Sequence, residues 1–217
     1  DWVCEKFDWD DSIAYNRGKV LNYEDLEKLE SYGRYLDSDN DGICYRTYPG
    51  THPEKGAYFT RGTSHDEYAR YTEDGNVNAE TLMRLMRKFR TASELVPEPL
   101  IEINGEDSCG IIFYGSSKPA VLEAKDILKT KNINVDLMQI RSFPFNLDVW
   151  EFIANHDRIY VVEQNRDSQM RTLIMAEGGI SAEVLRPLVH FTGDPIEAAY
   201  IVNKVSEREV NYKSHKN

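Results

Sequence analysis

The chain has 217 residues, 41% hydrophobic and 29% charged, with a net charge of −11. This is the composition of a folded protein, and the negative balance argues against nucleic acid or an anionic membrane surface as a partner. No apolar run approaches the ~18 residues that a membrane span requires. Cys4, Cys44 and Cys109 are widely separated and form no C-x-x-C pair. They read as reduced thiols of a cytoplasmic protein, not as ligands of zinc or of an iron–sulfur cluster. The sequence opens at Asp1 without Met or a signal peptide, which reads as a piece of a larger polypeptide.

Residues 23–32 predict a short helix with Asn22 as its N-cap. "DSDNDG" (37–42) follows. Its Asp37, Asp39, Asp41 and Gly42 match positions 1, 3, 5 and 6 of a calcium loop, but position 12 is Tyr48 where a bidentate glutamate belongs. An EF-hand is therefore excluded. A looser calcium or magnesium site at Asp37, Asp39 and Asp41 remains the metal candidate, against a polar turn whose side chains bond their own backbone. "YPGTHPEKGAYFTRGTSHDEYARYTEDG" (48–75) has no sustained period of 2 or 3.6. Its mixed charges read either as an interlocked, rigid loop or as groups beside a site, held in place by another surface. In "NAETLMRLMRKFRTASEL" (78–95), Leu82, Leu85, Met86 and Phe89 share one helical face with Arg and Lys opposite. Asn78 is its expected cap, and Pro97 and Pro99 its stop.

From residue 98 the grammar changes. "GIIFYG", "INVDLMQI", "RIYVVEQ" and "LRPLVHF" read as buried strands. Each is followed by a helical stretch: "SSKPAVLEAKDILKTK" with Ser116 or Ser117 as cap, "NLDVWEFIANH" with Asn146, "SQMRTLIMAEGG" closed by Gly178 and Gly179, and "DPIEAAYIVNKVSE" with Asp194. Strand–helix alternation predicts an α/β domain with a doubly wound, mostly parallel sheet, covered on both faces and with sites at the strands' carboxyl ends. The expected division is 1–97, an irregular segment with a linker helix, and 98–217, the α/β domain.

Several segments in order, the 48–75 stretch, "FPFN", "VVEQNRDSQMRTL" and "HFTGDPI", closely resemble the alpha subunit of the 2-oxoacid:acceptor oxidoreductases, in particular those for 2-oxoglutarate and ferredoxin. The resemblance implies a transketolase C-terminal-like domain and an enzyme that makes acyl-CoA, CO2 and reduced ferredoxin from a 2-oxoacid and coenzyme A. It implies thiamine diphosphate, magnesium and an iron–sulfur cluster in the whole complex, none held by this chain alone. Its partners would be a beta subunit and the N-terminal part of the alpha subunit, whose pyrimidine-binding domain the sequence lacks. An isolated portion of this kind is expected to be inactive. A dicarboxylate substrate needs a cationic fork, so Arg46, His52, Lys55, Arg61, His65, Arg70 and Asp74 become candidates for the substrate entrance. Gln164, Asn165 and Arg166, at the end of a buried strand, become interface candidates. Phe143 and Phe145 join them as exposed apolar anchors, with burial inside their own domain as the alternative. A divalent-cation-binding or purely structural interaction module is the rival reading.

Overall fold

The computed structural model describes residues 8–60, 64–105 and 109–216. The chain divides into two compact units, Asp1–Thr91 and Ala92–Asn217.

In the second unit, strands β1 (Leu100–Glu102), β2 (Cys109–Tyr114), β3 (Val135–Ile140), β4 (Ile159–Glu163) and β5 (Leu185–Val189) form one sheet in the order β1-β3-β2-β4-β5. The four longer strands are parallel, and β1 is an antiparallel edge, with Ile101 opposite Met138. This edge was not anticipated from the sequence. It is three residues long, too short to show a period of two. Alternate residues serve opposite faces, as a pleated strand requires. Ile111, Phe113, Leu137, Tyr160 and Val162 pack with α3 (Lys118–Thr130) and α6 (Ala198–Lys216). Ile112, Met138, Ile159 and Val161 pack with α4 (Leu147–Ala154) and α5 (Gln169–Gly178). The doubly wound, mostly parallel sheet is thus as predicted. From β2 the chain moves out to β3 on one side and later to β4 on the other. The carboxyl ends of β2 and β4 therefore flank the topological switch point, where sheets of this kind bind ligands.

The helix ends differ from expectation in four places. Asn146 precedes α4 but makes no side-chain cap bond. Ser117 likewise makes none to α3, because Gln164 Nε2 engages both serine hydroxyls. Helix α6 begins at Ala198, not after Asp194, whose backbone N–H instead donates to Thr192 Oγ1. Gly178 lies inside α5, and Gly179, at φ +62°, supplies the left-handed residue that ends it.

The first unit is built differently. Its helices are α1 (Tyr23–Lys28) and α2 (Gly75–Leu95), the second running past the boundary. Asn22 caps α1 in a full capping box with Asp25. The helix stops four residues short of the expected end. Leu29 turns extended, and Lys55 Nζ donates to the carbonyls of Leu26, Glu27 and Leu29. Asn78 is not the cap of α2, which starts three residues earlier, where Asp74 accepts from the Asn76 N–H. Among the described residues of this unit, Leu26 and Ala69 are the buried apolar side chains.

A helix-interior glycine normally costs about 1 kcal/mol relative to alanine, so by propensity alone Gly178→Ala stabilises α5. A Cβ at this position, however, would lie 2.4 Å from Trp150 Cζ3. The substitution is expected to lower stability by about 1–3 kcal/mol through overpacking, read as a reduced denaturation midpoint. An unchanged or raised midpoint would show that α5 and Trp150 are not packed this closely.

Candidate functional site

Two polar assemblies stand out, one in each unit. The first surrounds the acidic turn. Asp37 Oδ1 accepts from the Gly42 N–H at 2.9 Å, and its Oδ2 from Arg87 Nε and Nη2 at 3.2 and 3.0 Å. Lys19 Nζ sits between Asp39 Oδ2 and Asp41 Oδ2, at 2.6 and 2.7 Å. Asp41 Oδ1 accepts from the Ile43 N–H, and Thr91 Oγ1 donates to the Asp41 carbonyl. Asp39 and Asp41 therefore converge on the Lys19 ammonium while Asp37 turns to Arg87, so the three carboxylates do not meet at one point. No cluster of three His, Cys, Asp or Glu side chains fit for a metal occurs among the described residues. At the expected metal site of Asp37, Asp39 and Asp41, the charge repulsion that motivated a metal ion is offset by Lys19 and Arg87. Gly42, at φ +79°, lies so close to α2 that a Cβ would be 2.2 Å from the Lys88 nitrogen. The basic side of α2 thus faces the turn, with Arg84 also donating to the Gly42 carbonyl.

The entrance candidates fall into separate local groups. His52 Nε2 meets Glu27 Oε1 at 2.6 Å, its Nδ1 accepts the Glu54 and Lys55 N–H groups, and its ring stacks on Tyr23. With Lys55 on the α1 carbonyls, this group clamps the loop to α1. Arg46 donates to the Arg17 carbonyl and lies over Tyr48. His65 stacks on Tyr35 at 3.9 Å and pairs as a bridge with Tyr71, while Asp66 closes the intervening turn by accepting from Tyr68 and Arg70. The exposed Arg70 guanidinium lies over Tyr68. Asp74 opens α2. Arg61 lies outside the described residues, as does Cys4. Sequence reasoning missed Lys19, Arg34, Arg84 and Arg87. Arg34 lies over Tyr35 and Tyr58, at 5.3 and 5.7 Å from their centroids. Arg84 lines a small cavity with Tyr35, Glu67 and Thr81. The signal available for α2 was its basic stripe, which reads as a solvated face until the acidic turn is placed against it.

The second assembly lies at the switch point. Glu163, fully buried at the end of β4, accepts from the Met170 and Arg171 N–H groups at the start of α5 and from Asn165 Nδ2. It is a carboxylate at a helix N-terminus, which the exposed peptide N–H groups favour. Asn165 also reaches the Tyr114 hydroxyl, and Gln164 ties Ser116 and Ser117 to the Ile196 N–H. Side chains from the ends of β2 and β4 thus bond one another across the switch point. Arg166 pairs with neighbouring Asp167 and is well exposed. Phe145 is buried against Trp150 and is a core residue, which corrects its reading as an exposed anchor, whereas Phe143 is 42% exposed.

The turn fixes a pH dependence. Hydrogen bonds from Lys19 lower both Asp39 and Asp41 below the ordinary carboxylate range. Lys19 loses some hydration, which opposes its charge, but its bonds to both aspartates outweigh this and raise its pKa. A lowered carboxylate contributes stability above its unfolded pKa of about 3.9 and loses it as pH falls through the folded value. A raised lysine contributes below about 10.4 and loses it as pH rises through its folded value. Lys19→Met is therefore expected to lower the melting temperature of this unit between about pH 5 and 9, with the deficit closing below about pH 3 and shrinking in 1 M salt. A deficit independent of pH would contradict the ionic lock. Gly42→Ala is expected to destabilise the unit by about 1–3 kcal/mol at any pH, since it forces α2 away.

No family model matches the chain. It is 28% identical, over 204 residues and 90% of its length, to the alpha subunit of 2-oxoacid:ferredoxin oxidoreductase 2 of Aeropyrum pernix, of which it covers 30%. It is 26% identical over 191 residues, 86% of its length, to the 2-oxoacid:ferredoxin oxidoreductase alpha subunit of Saccharolobus solfataricus, covering 29% of that protein. The chain thus spans under a third of the length of these curated relatives. Its fold is similar, at a TM-score of 0.72 and 24% identity over 83% of the chain, to 2-oxoglutarate:ferredoxin oxidoreductase from Magnetococcus marinus, solved with 2-oxoglutarate, coenzyme A and succinyl-CoA bound; it covers 31% of that chain. The chain is accordingly similar, along most of its own length, to part of the alpha subunits of two 2-oxoacid:ferredoxin oxidoreductases.

Proposed function

We propose that this chain is the C-terminal portion of the alpha subunit of a thiamine-diphosphate-dependent oxidoreductase that converts a 2-oxoacid, 2-oxoglutarate in our reading, and coenzyme A to acyl-CoA, CO2 and reduced ferredoxin. The observation that carries this is the sequence match to two such alpha subunits over 86–90% of the chain. The solved enzyme of similar fold, with 2-oxoglutarate and coenzyme A bound, supports the choice of substrate.

The chain's own part is assembly and shaping of the substrate entrance. Its described residues do not fit the redox cofactor. Cys44 and Cys109 lie in different units, and burial pushes the Cys109 thiol up to about 12, the opposite of what a thiolate ligand needs. The Gly115–Ser117 turn receives Gln164 Nε2 on both serine hydroxyls and carries a single glycine where a phosphate cradle is glycine-rich. The hard chemistry therefore belongs to cofactors held elsewhere in the complex. Lys55 and His52 are occupied in holding α1. Arg46 is bonded to the Arg17 carbonyl, so among the described candidates Arg70, exposed over Tyr68, is the entrance cation best able to meet a distal carboxylate. The rival reading, a divalent-cation module, loses its ligands to Lys19 and Arg87.

The test is reconstitution. The tagged chain, co-expressed with the remaining alpha-subunit polypeptide and the beta subunit, should co-purify with both. The assembly should reduce a viologen dye with 2-oxoglutarate, dependent on coenzyme A and thiamine diphosphate, while the chain alone turns over nothing. Arg70→Ala is expected to raise KM for 2-oxoglutarate about 10-fold or more, the loss of one charged contact, and to affect pyruvate less. Absence of association, or turnover by the isolated chain, contradicts the proposal.

A further inference from the structure

Helix α2 presents its two sides in the opposite sense to a helix that covers a core. Its basic side is fixed against the acidic turn by the Arg87–Asp37 pair, the Arg84 and Thr91 bonds to the Gly42 and Asp41 carbonyls, and the absence of room for a Cβ at Gly42. That anchoring turns the apolar side outward. Leu82, Met83, Leu85 and Met86 are 54, 60, 36 and 60% exposed. At roughly 100° per residue they form a sector about 160° wide, the breadth of a helix meant to be buried and wider than a coiled-coil seam. Singly exposed apolar residues need no explanation, but a contiguous stripe on one helix marks an interaction surface.

The geometry points to this stripe as the docking face for an apolar helix or sheet surface of the polypeptide that completes a homologous alpha subunit, an inference that rests on the function proposed above. Two observations select that occupant. The relatives are more than three times as long as the part this chain matches, so such a subunit has ample polypeptide to cover the stripe. The exposed Lys88 lies on the flank next to Leu85, which favours a partner surface with an acidic margin over a second copy carrying the same lysine. Two flexible methionines suit a face that must conform to an irregular partner.

The test compares the tagged wild-type chain, alone and co-expressed with the remaining alpha-subunit polypeptide. Brief peroxide treatment followed by peptide mass spectrometry should oxidise Met83 and Met86 in the isolated chain, with protection of at least 10-fold in the co-purified assembly. A Leu82→Glu/Met86→Glu chain should keep the secondary structure of the wild type and recover at least 10-fold less of the partner. Co-purification with Met83 and Met86 still fully oxidisable overturns the inference and leaves the proposed function standing. Failure of the wild type to associate removes the proposed function and this inference with it. A wild-type chain that sediments as a dimer, and a double variant that sediments as a monomer, assigns the stripe to a second copy and also overturns it.

Discussion

The first unit depends on fixed charge where most domains depend on an apolar core. With Leu26 and Ala69 as its buried apolar side chains among the described residues, hydrophobic burial at ~25 cal/mol per Å² returns little against the ~1–2 kcal/mol needed to order each backbone residue. Lys19 between two carboxylates, Arg87 on the third, and Lys55 on the end of α1 give the segment its shape. Remove the acidic turn and Arg84, Arg87 and Thr91 of α2 lose the groups they bond. Remove α2 and Asp37 loses its counter-ion. Stacked rings, Tyr35 on His65 and Tyr23 on His52, add contact without a core. Such a lattice sets shape well and stability poorly, because exposed ion pairs contribute little each. It suits a segment whose final stability comes from a neighbouring surface.

The second unit is the reverse case. Its sheet is buried on both faces, and its buried charged groups are engaged, while Asn146 Oδ1 and Ser206 Oγ are buried without a partner. Glu163 satisfies the start of α5, and Glu209 accepts from Arg158 and the Tyr160 hydroxyl beneath α6. His156 joins the Phe152 carbonyl to Asp136, which also receives the Asn104 N–H. Networks of this kind rigidify a domain when each member is bonded. At the switch point the same kind of network links the ends of β2 and β4 through Gln164 and Asn165.

The sequence made the second unit legible because period and length agreed there. "GIIFY" and "RIYVV" are apolar throughout, as strands buried on both sides must be, and each is followed by a helix of the right length. It was less legible at helix starts. Asp194 and Ser117 have the chemistry of caps, but Gln164 engages the Ser117 hydroxyl and α6 begins only at Ala198, four residues past Asp194. The reading of α2 identified its two faces correctly and gave no means of telling which would be covered. That choice belongs to Asp37 and Gly42, fifty residues away in the case of the Asp37–Arg87 bond. Likewise "DSDNDG" announced three close carboxylates, but the cation that offsets two of them, Lys19, comes from a stretch without periodic pattern. Local pattern reveals elements, whereas ionic pairing across a loop becomes visible only after folding.

The central claim, that the first unit is held by charge and completed by a partner surface, is tested most directly by amide hydrogen exchange in the isolated chain. The Leu21, Tyr35 and Arg46 amides, bonded across the first unit, should exchange roughly 100-fold or more faster than the Gly110 and Ile159 amides of the sheet, and should slow on assembly with the remaining alpha-subunit polypeptide. Equal protection in the isolated chain would show that the first unit is as stable as the sheet without a partner, and would contradict the account.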